Sequence, residues 1–142
     1  MAINWRTDYA CRLMFEMARL SDGARSTVRA LAEAADVPYD YARTIARDLA
    51  ASGLLNSRRG VGGGVELARP ASQITMLDIF TAMGEPTSLS LCTQGTVCHR
   101  SAVCPVHQGV WQQLDTVIER FLGDSTLAHA VALSQTLEAR EA

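Results

Sequence analysis

The sequence predicts a mainly α fold with a small β wing and a long helix in its C-terminal third. Three observations carry that prediction. Apolar residues recur at helical spacing in three segments before residue 53, two short apolar runs flank a glycine-rich stretch at Gly60–Gly64, and positions 107–122 carry a broad apolar helical face. With 142 residues, 48% hydrophobic and 20% charged, these patterns fit one ordinary globular domain with an appended helix. Disordered, collagen-like and multi-domain readings are excluded by the same figures.

In chain order, Thr7 is expected to cap a first helix whose apolar positions Tyr9, Leu13, Met17 and Leu20 recur at roughly one turn and which Asp22-Gly23 ends. Ser26-Thr27 opens a short second helix with Val28, Leu31, Ala32 and Ala35 at i, i+3, i+4 and i+7, broken by Asp36-Val37-Pro38. From Pro38 to Ser52 a third helix places Ala42, Ile45, Ala46 and Leu49 on one face and Asp40, Arg43, Thr44 and Arg47 on the other. Two short helices joined by a tight turn, the second with small apolar residues inward and Arg/Thr outward, are what a helix-turn-helix needs. Its recognition helix must pack closely behind while offering donors to base edges and phosphates.

Gly53 ends that helix. Leu54-Leu55-Asn56-Ser57-Arg58-Arg59 and Val65-Glu66-Leu67-Ala68 then read as two strands around Gly60-Val61-Gly62-Gly63-Gly64, a wing with two arginines at its base. A dinucleotide-binding loop is set aside, because Gly60, Gly62 and Val65 miss the third position of G-x-G-x-x-G, and a Walker motif is impossible in a chain without lysine. Pro70 to Gln73 reads as a linker. Thr75 and Asp78 then resemble a capping box opening a helix that buries Met76, Ile79, Phe80 and Met83 and stops at Gly84 and Pro86.

Residues 85–105 show no regular period and hold three of the four cysteines. From His107 to Leu122, the positions Val110, Trp111, Leu114, Val117, Ile118, Phe121 and Leu122 form an apolar face too wide for a small winged helix to cover, so a homodimer is expected. Ser125-Thr126 opens a weak tail helix. The organisation is therefore a winged helix-turn-helix over 1–84, a cysteine-rich loop over 85–105, and a dimerisation helix with its tail over 106–142.

The formal net charge of −2 argues against a protein that coats nucleic acid, yet the average hides a gradient. All thirteen cations are arginine; ten arginines and eight acids lie in residues 1–70, against three and seven in 71–142, so an anionic partner should meet the first half. No stretch approaches about 18 uninterrupted apolar residues, and the start lacks the marks of a secretory signal, so a cytoplasmic chain without membrane contact is expected. His99, His107 and His129 are scattered and no nucleophile–base pair stands out, so no enzyme is expected.

Cys92, Cys98 and Cys104 are separated by five residues each, with His107 three beyond the last. A reducing compartment favours metal or thiol chemistry over disulfides. Three soft thiolates on flexible spacers can fold around one metal centre. Zinc competes, since three Cys and one His make a tetrahedral set, although its knuckles usually use two-to-four-residue spacing. Spacing alone leaves zinc, an iron–sulfur cluster and unligated thiols open. Cys11 reads as a buried small hydrophobe in the first helix, Asp8 and Arg12 as an exposed pair one turn apart, and Trp5 and Trp111 as packing residues.

Together, Arg6-Thr7-Asp8-Tyr9-Ala10, the helix end Ala51-Ser52-Gly53-Leu54-Leu55, the wing Arg59-Gly60-Val61-Gly62-Gly63-Gly64 and the three loop cysteines resemble the Rrf2 family of bacterial winged-helix regulators over residues 1 to about 135. The resemblance implies a homodimer with crossed long helices and two winged helices on near-palindromic double-stranded operator DNA. It also implies one iron–sulfur cluster per subunit, 4Fe-4S or 2Fe-2S, held by Cys92, Cys98 and Cys104. The fourth ligand is open: the IscR-like pattern points to His107, the NsrR-like pattern to Asp8 of the other subunit. The implied function is transcriptional regulation, as a repressor whose operator affinity follows a cluster sensing nitric oxide, redox state or iron. Arg43, Thr44 and Arg47 are expected in the major groove, and Arg58, Arg59 and Gly60 at the minor groove or phosphates. The alternatives are a regulator with a structural zinc or thiol switch, and a metal or redox carrier without specific DNA binding.

Overall fold

Residues 2–94 and 98–141 are described by the computed structural model. Within them the order is α1 (Trp5–Arg19), α2 (Val28–Ala34), α3 (Tyr39–Ala51), β1 (Leu55–Arg58), β2 (Gly64–Leu67), a 3-10 turn (Ala71–Gln73) and α4 (Met76–Met83). A π-helical turn (His107–Trp111) then runs into α5 (Gln112–Asp124), and α6 (Leu127–Glu141) follows.

Helix α1 begins earlier than expected. Its cap is Asn4, whose Oδ1 accepts from the Arg6 N–H at 3.0 Å, while Thr7 lies inside the first turn and is 1% exposed. The Thr7 hydroxyl has another acceptor, described below, and so is not the cap. Leu13 and Met17 are buried as expected, together with Ala10 and Met14, but Leu20 falls past the helix end and is 40% exposed. Trp5 is half-exposed and packs on the rings of Tyr9 and Tyr41, edge-on at 5.4 and 4.6 Å between centroids.

Thr27 caps α2 by accepting from the Ala30 N–H at 3.1 Å. The helix ends where the N–H of Asp36 reaches Glu33 O (3.3 Å) and that of Val37 reaches Ala32 O (2.9 Å), with Asp36 in the left-handed region at φ 52°. This paired reversal satisfies two otherwise orphaned carbonyls and turns the chain into α3. There the sequence pattern holds residue for residue: Ala42, Ile45, Ala46 and Leu49 are buried, and Asp40, Arg43, Thr44 and Arg47 are exposed. Small inward side chains let α3 lie close against α1 and α2.

The strands β1 and β2 pair antiparallel from Leu55↔Leu67 to Arg58↔Gly64. Ser26 adds a bridge to Val65, with N–H···O distances of 3.0 and 2.8 Å, so the wing is anchored to the residue ahead of α2. Gly64 is required there, because φ is 131° and a Cβ would collide with the Ser26 carbonyl oxygen. The expected linker at Pro70–Gln73 contains the 3-10 turn. Thr75 and Asp78 then form the full capping box of α4, with bonds of 3.1 and 2.9 Å.

Helix α6 is firmly docked. Leu127 is fully buried, its N–H donates to Ile74 O at 2.9 Å, and the helix packs along α1, where Arg19 meets Glu138 at 3.3 Å. Burying one leucine contributes roughly 1.5–3 kcal/mol, enough to hold a helix that has little amphipathic character of its own. The core is a single cluster in which Met14, Ile45, Leu49, Ile74, Ile79 and Leu127 are fully enclosed. Helix α5 leans on α4 but has no buried residue, and Phe121 on its outer face is 71% exposed.

Candidate nucleic-acid interface and metal centre

The interior packing of α3 decides what its other side presents. Asp40, Arg43, Thr44 and Arg47 together line one shallow recess of ≈ 300 Å³. Thr44 keeps its hydroxyl near the Asp40 carbonyl (3.3 Å), and Arg47 has only a loose contact with Asp48 at 3.8 Å. These donors are therefore free to exchange water for an acidic partner.

Beside this face stands the wing, with Arg58, Arg59 and Gly60 all exposed. Gly60 opens the tip at φ 94° and its carbonyl accepts from the Gly63 N–H at 2.9 Å. Arg25 braces the wing: Nε and Nη2 donate to Glu66 Oε2 at 3.1 and 2.7 Å, and Nη1 donates to Gly62 O at 3.2 Å. Hydrogen bonding to Arg25 holds the Glu66 carboxyl below its ordinary pKa, against a smaller opposing effect of desolvation and with added help from the charges of Arg25 and Arg58. Sequence reasoning missed Arg25, because its partners lie 37 and 41 residues away.

The cysteine loop leaves α4 at Glu85. The Glu85 carboxylate accepts from the Thr7 hydroxyl (2.6 Å) and from the Asn4 N–H (3.3 Å). Neighbouring Arg6 donates to Met83 O at 3.2 Å and forms a close ion pair with Asp48 of α3. Further along, Thr87 donates to Glu119 Oε1 (2.9 Å) and the Leu89 N–H to Asp115 Oδ1 (3.1 Å), fastening the loop to α5.

Cys92, Cys98 and Cys104 are free thiols, each partly buried. Cys104 begins the helical run, where its carbonyl accepts from the Gln108 N–H at 3.1 Å. Cys92 and His107 line one open recess of ≈ 540 Å³ with Thr93, Gln112, Asp115 and Thr116. The His107 side chain is buried and its Nδ1 has no hydrogen-bond partner, while Nε2 lies 3.4 Å from Gln112 Nε2. Cys98 and Cys104 do not line that recess, residues 95–97 lie outside the described residues, and among the described residues no three His, Cys, Asp or Glu side chains converge to hold a metal. Asp8 is exposed on α1, 3.8 Å from Arg12, as the helical spacing implied. Cys11 packs against the core, and burial, helped by the charges of Asp8 and Glu85, pushes its thiol up to about 11.

A family model described as an iron-dependent transcriptional regulator, Rrf2, matches residues 3–133. The chain belongs to the Rrf2 family. It is 29% identical to a protein of Haemophilus influenzae named as an HTH-type transcriptional regulator, over 92% of this chain and 87% of that one. A similarly named protein of Neisseria meningitidis is 28% identical over 89% and 85%. Among solved structures, CymR, the global cysteine regulator of B. subtilis, superposes with a TM-score of 0.78 at 21% identity, covering 94% of this chain and 98% of its own. IscR of T. potens superposes with a TM-score of 0.74 at 25% identity, covering 100% and 93%. The fold is thus the winged helix of Rrf2 regulators, and the chain is a DNA-binding transcriptional regulator, not an enzyme. No helix among the described residues is long and apolar enough to cross a membrane.

Proposed function

We propose that this Rrf2 regulator is a cytoplasmic, homodimeric repressor whose grip on operator DNA is set by an iron–sulfur cluster on Cys92, Cys98 and Cys104. The observation that carries the reading is His107: a buried imidazole with an unpartnered Nδ1, in the same recess as Cys92 and one turn beyond Cys104. A buried polar atom without a partner costs about 1–3 kcal/mol, and a bound ion is one of the ways a native structure meets that cost. Three thiolates and one imidazole suit either an iron–sulfur cluster or zinc, and the family description favours iron. His107 is accordingly the fourth ligand in this reading, with Asp8 of a second subunit the competitor. When bound, such a cluster offers a centre that nitric oxide, oxidants or iron shortage can dismantle.

The protein's own residues convert that event into a change at DNA. Cys92, Cys98 and Cys104 would tie three positions of the 85–105 segment to one centre when such a group is bound. The loop is fastened to α1 through Thr7 and to α5 through Glu119 and Asp115. The exposed face formed by the π-helical turn and α5, with Val110, Val117 and Phe121, is covered by the second copy, so the state of the loop sets the spacing between the two copies of α3. Arg43, Thr44 and Arg47 then enter the major groove, Arg43 at its phosphate-lined edge, while Arg58, Arg59 and Gly60 meet the adjacent minor groove or backbone.

Anaerobic purification with iron, sulfide and zinc analysis, a visible absorption spectrum and operator binding before and after nitric oxide test the reading. The expected result is a coloured protein whose affinity drops when the cluster is lost. A colourless protein with stoichiometric zinc, or equal affinity in the loaded and stripped forms, overturns it. His107→Ala is expected to alter the spectrum and Asp8→Ala to leave it unchanged; the reverse assigns the ligand to Asp8.

A further inference from the structure

We propose that Arg29, on α2, is a further DNA-contacting residue, oriented by the ring of Tyr39 so that guanidiniums from two helices, Arg29 and Arg43, meet the sugar-phosphate backbone at the edge of the major groove. Arg29 Cζ lies 4.0 Å from the Tyr39 ring centroid and Arg43 Cζ lies 5.9 Å from it. Tyr39 is the first residue of α3 and Arg43 follows one turn later, whereas Arg29 arrives from α2. Both arginines are exposed, and among the described residues neither is ion-paired. Glu33 and Asp36 line the same recess as Arg29 and Tyr39, but Asp36 is turned to Arg12, at 3.7 Å.

The ring of Tyr39 lies within cation–π reach of both guanidiniums. The first helix of a helix-turn-helix crosses the backbone while the second lies in the groove, so a backbone phosphate is the anion this position meets. Tyr39 acts here as a positioning residue: it is half-buried, and its ring restricts two long side chains that would otherwise lose freedom on binding. The inference rests on DNA binding by the family and not on the cluster.

The test uses the intact homodimer with two probes of equal length, a duplex the wild type selects from a randomised pool and an unselected duplex, followed by fluorescence anisotropy across a salt series. Arg29→Ala is expected to weaken binding to both duplexes and to reduce the slope of log affinity against log salt by about 0.9 per half-site, one phosphate's worth. Tyr39→Leu should give the same loss, Tyr39→Phe should retain the wild-type slope, and Arg29→Ala with Tyr39→Leu should be no worse than either alone. Thermal unfolding of each variant separates loss of contact from loss of fold. A wild-type slope in Arg29→Ala overturns the proposal, and so does a wild-type slope in a folded Tyr39→Leu. Failure of the wild type itself to bind either duplex overturns DNA binding as a whole, a result visible before any variant is made.

Discussion

The hydroxyl of Thr7 donates to Glu85 across 2.6 Å, joining the first turn of α1 to the residue from which the cysteine loop departs. The same turn carries Arg6, whose guanidinium touches both the end of α4 and Asp48 of the recognition helix. Two successive residues therefore connect the loop root with α3. Because Thr7 is 1% exposed, Glu85→Ala leaves its hydroxyl buried without an acceptor and removes the partner of the Asn4 N–H. The expected cost is about 1–3 kcal/mol in urea unfolding. Thr7→Val in the Glu85→Ala background should add much less than it costs alone, since the pair shares one interaction. Full additivity would show that the bond contributes nothing.

The Arg25–Glu66 brace predicts a pH dependence confined to acid. The Glu66 carboxyl is held below its ordinary value by the bonds from Arg25. A carboxyl depressed in the folded state contributes stability that is fully present above the unfolded value, about 4.3, and is lost as pH falls through the lower folded value. Stability of the wild type should therefore decline below about pH 4.3 more steeply than that of Glu66→Gln, and the two curves should run parallel above about pH 6. Urea midpoints across that range are the measurement, and a divergence that grows toward alkaline pH would contradict the assignment.

Asp36 occupies a place that glycine takes in the two matching reversals after α3 and α4, where Gly53 and Gly84 sit at φ 76° and 67°. A left-handed backbone costs an ordinary L-residue roughly 1–2 kcal/mol, less for Asp, whose short side chain tolerates it. Arg12 donates to the Asp36 backbone carbonyl at 3.1 Å, a contact glycine would keep, and its ion pair with the fully exposed carboxylate is loose. Asp36→Gly is thus expected to stabilise by about 0.5 kcal/mol and Asp36→Val to destabilise by about 1–2 kcal/mol. A lower urea midpoint for the glycine variant would show that the side chain holds the turn.

The residues that were legible in advance share one property: their environment is set within a few turns of chain. For α3, helical periodicity alone assigned four residues inward and four outward, and all eight lie so. The capping box at Thr75 and Asp78 is equally local. Thr7 misled because Asn4 and Thr7 both suit a cap, and the acceptor that claims Thr7 lies 78 residues further on. Arg25, Arg29 and Tyr39 were invisible for the same reason, each depending on a neighbour brought in from another element. Helix α6 shows no apolar stripe, and its docking depends on Leu127 and the backbone of Ile74. Spacing identified the loop cysteines as a group, but only folding places Cys92 in one recess with His107.

Cys11 provides a test that keeps the fold and the proposed metal chemistry apart. Its thiol is pushed from an ordinary 9.0 up to about 11, chiefly by burial and then by the nearby charges of Asp8 and Glu85. Only thiolate reacts with an alkylating reagent, so at pH 8 the folded protein offers about 100-fold less reactive Cys11 than the unfolded chain, before any steric shielding. In a protein carrying Cys92→Ser, Cys98→Ser and Cys104→Ser, iodoacetamide labelling followed by mass spectrometry should therefore be slow until urea unfolds the chain. Cys11→Ser in the otherwise intact protein should leave iron and sulfide content unchanged, because the residue packs against the core and does not line the recess of Cys92 and His107. Rapid native labelling of Cys11 would refute its shielding, and a loss of iron in Cys11→Ser would bring it into the ligand set.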